Sequence, residues 1–450
     1  MGGIKTNIAK SFTKTILKDL VEQTAKSKYC RAELILGRLL DGEKTSGWDL
    51  KCYHYYYMLK AVLDRIAHED NTSVYLVKRV YSEYPIFKKA LKPVLNLLLL
   101  SIDEYGITTP QKMSAPLLVE FEITKRCNLA CKHCYANAGK PLKNELSTSE
   151  AKQVLDQISE AGVPIVCFTG GEPMLRKDFF ELLEHAKKQE LIVVITTNGT
   201  LITKEKAAKL KKLDVDYVRI SLDGATPQTH DWFRGTPGAF VKTVDGIRNS
   251  VRAGVKTGIG TVIIQENVSE LGGIIDLSAS LGCCDINAVP LVESGRAKLA
   301  MNKILHAVGK EQKMINEKLI EGKAKEYEGK MLLNFLDLDH IRKAKGFSQV
   351  LIGWAQGGCA AGRTVCVISP DGDVRPCIIM WISTGNLREQ RLNDIWKNSR
   401  VLEELKDRSL VKGKCGKCQF KNSCGGCRAT AYEKYGDYLE SDPSCYMRFL

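Results

Sequence analysis

The placement of cysteine constrains this chain more than any other feature. Sixteen cysteines occur in 450 residues, and ten of them fall in two short-spaced groups, Cys127 to Cys134 and Cys359 to Cys427. A chain of this length buries a sizeable core without covalent staples. Nothing near its start pairs a basic stretch with an apolar run and a cleavage site, as an export signal does. Grouped thiols in such a chain read as metal ligands in a reducing compartment, not as a disulfide framework. The expected location is the cytoplasm. Cys30, Cys52, Cys167, Cys283 and Cys284 lack ligand spacing and read as small buried hydrophobes.

The rhythm of apolar residues divides the chain into four stretches. Residues 1–115 are helical in pattern, with Ile8, Phe12, Ile16 and Leu20 on one face at a 3.6-residue period. Residues 116–300 alternate short apolar strands with amphipathic helices. The strand candidates are LLVEFEIT, PIVCFTGG, LIVVITTNG, YVRISLDG, TGIGTVII and INAVPLV. Six strands with helices between them imply a parallel sheet, with sites at the strands' C-terminal ends. Residues 301–355 read as a helical connector, and 356–450 are dense in Gly, Cys and turn residues, a composition that metal can hold together.

Within this frame, RCNLACKHCY places Cys127, Cys131 and Cys134 directly after the first strand. Three thiolates hold three irons of a cubane and leave the fourth open. A zinc site is the competing reading, but zinc asks for a fourth close ligand, and His133 lies badly placed between the cysteines. Later strands end in GGEP (Gly170, Gly171, Glu172, Pro173), in Thr197-Asn198 and in Ser221 and Asp223. Singly these are turn or cap residues.

Together, the triad and the motifs in this order resemble the radical S-adenosylmethionine (SAM) superfamily, over roughly residues 116–450. The resemblance implies an α/β fold, a partial (β/α)6 TIM-type barrel with an N-terminal helical extension. It implies a 4Fe-4S cluster on Cys127, Cys131 and Cys134 that binds SAM and cleaves it to a 5′-deoxyadenosyl radical. The GGEP loop would meet the SAM amino group, Thr197, Asn198, Ser221 and Asp223 its ribose and carboxylate, and His133 the adenine. Arg234, in HDWFRGTPGAF, would pair with a SAM carboxylate or cap a helix, and Asn267 is a further family-like position. A reducing donor such as ferredoxin or flavodoxin is the implied electron source, and the chemistry is expected to be anaerobic.

Cys359, Cys366, PDGDVRPC ending at Cys377, Cys415-x2-Cys418-x5-Cys424-x2-Cys427 and Cys445 resemble the SPASM extension of these enzymes. The resemblance implies two auxiliary 4Fe-4S clusters, one on Cys359, Cys366, Cys377 and Cys427 and the other on Cys415, Cys418, Cys424 and Cys445. The last close pair departs from the family's usual spacing by one residue, which leaves open whether the first of these clusters has a free iron. A structural zinc ribbon is the alternative for residues 415–427.

The net charge of +14 favours acidic partners. No basic–aromatic interleaving accompanies it, so nucleic acid is not an expected partner. The segment FKKALKPVLNLLLL and the basic balance point first to a membrane lipid or isoprenoid substrate, with contact at a membrane surface. Its apolar part is too short to span a bilayer. A tetrapyrrole is the second expectation, since the cysteine-rich tail looks similar to those of haem-pathway relatives, and a peptide is the third. The non-enzyme alternative is a three-cluster electron carrier, which would not bind SAM.

Overall fold

The computed structural model describes residues 85–106, 108–300, 310–335 and 358–445. The six expected strands are all present: β1 Leu118–Glu122, β2 Ile165–Thr169, β3 Ile192–Thr197, β4 Tyr217–Ser221, β5 Thr257–Ile263 and β6 Asp285–Pro290. They pair in chain order, each parallel to the next. Helices α2 Thr148–Glu160, α3 Phe179–Lys188, α4 Lys204–Lys212, α5 Pro227–Arg234, α6 Ala239–Arg252 and α7 Leu271–Ser280 connect them, preceded by α1 Pro85–Tyr105. The start of α2 shows how local the instructions are. Ser147 accepts a hydrogen bond from the Glu150 amide while the Glu150 side chain takes the Ser147 amide, a complete capping box.

Strand alternation separates two faces. Val119, Phe121, Val166, Phe168, Val193, Ile195, Val218, Ile220, Ile259 and Ile286 are buried in one large core with the helices. The intervening positions carry Glu120, Cys167, Arg219 and Asn287, so the other face is polar. A buried parallel strand is ordinarily apolar on both faces. Polar residues on the inner one therefore mark it as more than packing.

Two features differ from the sequence reading. Residues 301–355, expected to be wholly helical, contain α9 Lys310–Glu326 but also β7 Leu332–Phe335, which extends the sheet parallel to β6; 301–309 and 336–357 lie outside the described residues. The cysteine-rich stretch also joins the same sheet. Its strand β8 Val365–Ile368 lies parallel to β1, and β9 Asp373–Arg375 and β10 Gly385–Asn386 continue antiparallel to give ten strands. Short helices complete the chain: α8 Arg296–Ala300, α10 Leu392–Asn398, α11 Arg400–Lys406, α12 Gly413–Lys417 and α13 Arg428–Tyr435. Trp396 of α10 is fully enclosed and donates its indole N–H to the Met113 carbonyl at 2.9 Å.

The expected N-terminal helical pattern over residues 1–84 lies outside the described residues. Helix α1 carries the FKKALKPVLNLLLL segment, and Leu97 is buried in the main core. Lys89 bridges Asp214 and Asp216 at 2.7 and 2.8 Å. This helix docks on the barrel, and no described helix is long and apolar enough to cross a membrane.

Candidate active site and cluster-binding cysteines

The loop after β1 carries the first cysteine group and is pinned to the chain around it. The Cys127 amide donates to the Gly139 carbonyl at 2.9 Å, and the Lys132 amide to the Phe233 carbonyl at 3.0 Å. Gly235, at φ 64°, lets the end of α5 close against this loop: a Cβ there would stand 2.4 Å from the Ala130 carbonyl oxygen. Each thiol has a donor aimed at it. The Leu129 amide reaches Cys127 Sγ at 3.5 Å, the Ala138 amide reaches Cys134 Sγ at 3.4 Å, and Arg234 Nη1 reaches Cys131 Sγ at 3.7 Å.

Burial pushes the Cys127 thiol up to about 11, with the neighbouring Cys131, Glu172 and Cys134 adding to it. Burial likewise raises Cys131, against the pull of Arg234. Thiolates are needed for ligation, and binding positive metal is what offsets such a cost. Among the described residues no three His, Cys, Asp or Glu side chains converge on a single-ion position. A cubane spreads its irons over its corners and asks its thiolates for a wider triangle. Sulfur-directed N–H groups and a cation beside Cys131 suit that anionic group.

The GGEP loop lies across the same strand end. A Cβ on Gly171 would stand 2.2 Å from the Arg126 carbonyl oxygen, and the Gly171 and Glu172 amides donate to Thr124 and Arg126. Glu172 is fully buried. It accepts from the Thr197 hydroxyl at 2.8 and 2.9 Å, the Asn198 amide at 2.9 Å and the Met174 amide at 3.2 Å. Burial raises its carboxyl against these bonds. Glu172 and Thr197, both expected at SAM, thus tie β2 to β3. Asn198 donates to Asn128 Oδ1 at 2.9 Å and accepts from Thr200. Asn128 was not singled out in the sequence; its position directly after Cys127 was the available signal.

At β4, Asp223 is fully buried. Its carboxylate takes Arg234 Nη2 at 2.5 Å and the Val262 amide at 2.8 Å, and Asn267 Nδ2 donates to its carbonyl at 3.0 Å. Arg234 therefore spans from Asp223 to Cys131, and Asn267 braces the turn. Asp223, one of the residues expected at the SAM ribose and carboxylate, is here the counter-charge of Arg234. His133 stacks on Phe233 with centroids 4.0 Å apart and planes 7° from parallel. Burial, with Arg234 and Arg296 nearby, holds its pKa well below the usual range, so it is neutral. Ser221 closes β4, half-buried beside this network.

The C-terminal thiols form two groups that differ from the expected sets at one position. Cys359, Cys377 and Cys427 pack around Ala361, Met380, Leu405 and Ala429. Burial and the neighbouring thiols push Cys377 up to about 12 and Cys427 to about 11. Cys366 is not among them. It sits in β8 opposite Val119, fully buried in the main sheet core. The alternation of VCVI turns it away from the other cysteines and into the hydrophobic layer.

Cys415, Cys418, Cys424 and Cys445 line one cavity of about 420 Å³. The Asp442, Phe420 and Gly426 amides donate to the sulfurs of Cys415, Cys418 and Cys424, each at 3.4 Å. Three arginines, Arg363, Arg408 and Arg428, are buried nearby. Arg408 donates to the Cys359 carbonyl at 3.0 Å and Arg428 to those of Tyr438 and Glu440 at 3.0 and 2.7 Å. Arg363 Nε and Nη2 and Arg428 Nη2 meet no protein acceptor. Buried guanidinium N–H groups without acceptors are costly, and anionic thiolate-bound clusters are what these surroundings fit.

The fold and cysteine geometry define a cluster-binding barrel with a cluster-binding tail, and the chain belongs to the radical SAM superfamily, in its SPASM subgroup. The radical SAM superfamily profile matches residues 121–278, and an iron-sulfur cluster-binding domain (SPASM) matches 359–427. The AdoMet-dependent heme synthase of Methanosarcina barkeri is 36% identical over 346 residues, covering 74% of this chain and 97% of that protein. The mycofactocin maturase MftC of Mycobacterium tuberculosis is 34% identical over 339 residues, 74% of this chain and 83% of that one. In fold, the chain is similar to Streptococcus suis SuiB bound to S-adenosylmethionine, with TM-score 0.63 and 19% identity over 80% of this chain and 83% of that one. It is an enzyme of the 4Fe-4S and SAM-dependent kind.

Proposed function

We propose that this enzyme oxidatively decarboxylates propionate side chains of an iron tetrapyrrole. The observation that carries the reading is the 36% identity to a heme synthase across 97% of that protein's length. A second relative at 34% identity over 88% of its length is an Fe-coproporphyrin III synthase, also of Methanosarcina barkeri. The relatives give no support to the lipid expectation, and α1, which motivated it, buries Ala90, Leu97 and Ile102.

In this reading Cys127, Cys131 and Cys134 hold the SAM-binding cluster. Cys359, Cys377 and Cys427 hold one auxiliary cluster with three thiolates, and Cys415, Cys418, Cys424 and Cys445 hold the other. The bound cluster and SAM supply a radical able to take hydrogen from unactivated carbon. The chain's own residues place and protect it. The Gly170–Gly171 backbone, Asn198, Ser221 and His133 form the polar rim where SAM lies, and Pro173 starts the short helix that anchors the loop. Glu172 and Asp223 hold that rim rigid from behind.

On the substrate, the propionate carbon next to the ring would be the one to give up a hydrogen atom to the radical that the bound cluster and SAM would supply. The terminal carboxylate then departs as carbon dioxide. The one electron left over would reduce an oxidised iron–sulfur cluster, and a vinyl group would remain. Holding one C–H bond close while excluding water is the protein's part in the rate.

The test is anaerobic incubation of the reconstituted enzyme with SAM and dithionite, adding Fe-coproporphyrin III, a peptide extract or a polar lipid extract in turn. Deoxyadenosine formation stimulated by the porphyrin, with a product lighter by carbon dioxide and two hydrogens per vinyl group, supports the reading. Stimulation by the peptide arm alone transfers the function to peptide maturation, the activity that MftC's similarity favours.

A further inference from the structure

We propose that Arg375, with Lys125 beside it, seats a carboxylate of the substrate between the two cysteine regions of the molecule. The identity of the substrate rests on the tetrapyrrole reading; the charge of the seat does not.

Lys125 lies two residues before Cys127, and Arg375 two residues before Cys377. Both side chains converge on Glu122 at the end of β1. Arg375 Nη2 donates to Glu122 Oε2 at 2.7 Å, and Lys125 Nζ lies 3.2 Å from the same oxygen. Lys125 also donates to the Ala136 carbonyl at 3.1 Å. All three residues are buried, Arg375 at 2% exposure.

Two cations thus share one carboxylate in the interior. Arg375 Nε and Nη1 have no protein partner, and neither has Glu122 Oε1. Two other acids bear on this region. Glu120 faces Arg219 across the barrel, and Asp373, which feels Arg375, is held by the Ser383 hydroxyl. Nε and Nη1 point to different sides of the guanidinium, so each can donate one hydrogen bond to an incoming acceptor, and a carboxylate beside two cations is the group that best supplies one.

Trp381 gives the seat a wall and an open side. Arg375 lies 4.1 Å and Lys125 4.6 Å from its ring centroid, and its indole N–H donates to the Ser294 hydroxyl at 3.0 Å. The ring is 40% exposed. The two enclosed cations thus lie directly beneath a side chain that solvent reaches. The location suits a substrate held between the radical source and the C-terminal thiols.

The holoenzyme is titrated anaerobically with Fe-coproporphyrin III and with its tetramethyl ester, following the porphyrin absorbance band. The free acid should bind wild type more tightly than the ester. Arg375→Gln should weaken acid binding roughly tenfold or more and leave the ester unaffected. Arg375→Lys, which keeps the charge and loses the free Nε and Nη1 donors, should fall between and guards against a misfolded Gln variant. If Arg375→Gln and Arg375→Lys both bind the acid as wild type does, the seat is overturned and the tetrapyrrole reading stands.

If wild type binds neither porphyrin, benzoate is the second probe, read by Trp381 fluorescence with Trp381→Phe as the blank. A benzoate response in wild type that is lost in Arg375→Gln keeps the seat and removes the tetrapyrrole reading. No response overturns both. A shift in an auxiliary-cluster potential with unchanged acid binding would assign the free N–H groups to the cluster and overturn the seat.

Discussion

The thiols after β1 and the thiols of the C-terminal region rest on different foundations. Cys127, Cys131 and Cys134 hang from a parallel sheet whose strands and helices share one core. None of the three thiols belongs to that core. The thiols from Cys415 to Cys445 are joined by two short helices and turns around a cavity, with buried arginines nearby. In the barrel the fold positions the ligands. In the tail the ligands, once bridged, position much of the fold.

The sharpest way to break this contrast is at the triad. Cys127→Ala should abolish deoxyadenosine formation while leaving the thermal midpoint close to that of wild type. A variant that cleaves SAM normally, or that unfolds, would erase the distinction.

Iron removal should act in the opposite sense. With a chelator, amide exchange across residues 411–445 should accelerate by orders of magnitude while β1 to β5 keep their protection, as measured by mass spectrometry. Equal protection of both regions would show that the tail stands without its clusters.

A smaller effect is expected at the support behind the triad. Asp223→Asn leaves buried Arg234 without its counter-charge, and breaking such a pair costs about 3 kcal/mol. Denaturant unfolding should show that loss, together with slower deoxyadenosine release, although Asp223 touches no thiol. The smallest effect belongs to Cys366. Cys366→Ala should keep the wild-type iron content and cost about 1 kcal/mol of stability, whereas Cys377→Ala should lose about four irons. Equal iron loss in both variants would restore the four-thiolate set.

Much of this was legible in the sequence because the signals are local. Six strands announced themselves by apolar runs ending in turn residues, and the triad by its spacing. Strand β7 was hidden behind a charged helix. The pairing of β8 with β1 joins residues almost 250 apart, and no local pattern reports it. Cys366 looked like a ligand by its neighbourhood to Cys359, yet VCVI is also a buried strand, and packing decided between them. Glu172, Thr197 and Asp223 stood out by motif, but the motif could not say that Glu172 faces Thr197 or that Asp223 faces an arginine. Arg375 carried no sequence signal at all, because its meaning lies in what its guanidinium lacks.

The most direct test of the two-region account is electron paramagnetic resonance of the dithionite-reduced protein, with and without SAM. It compares wild type with a variant carrying Cys127→Ala, Cys131→Ala and Cys134→Ala. The account predicts that the triple variant retains about eight irons and its auxiliary signals, and that SAM perturbs only the wild-type signal that the variant has lost. A triple variant whose remaining signal still responds to SAM, or a wild type that does not respond, would contradict it.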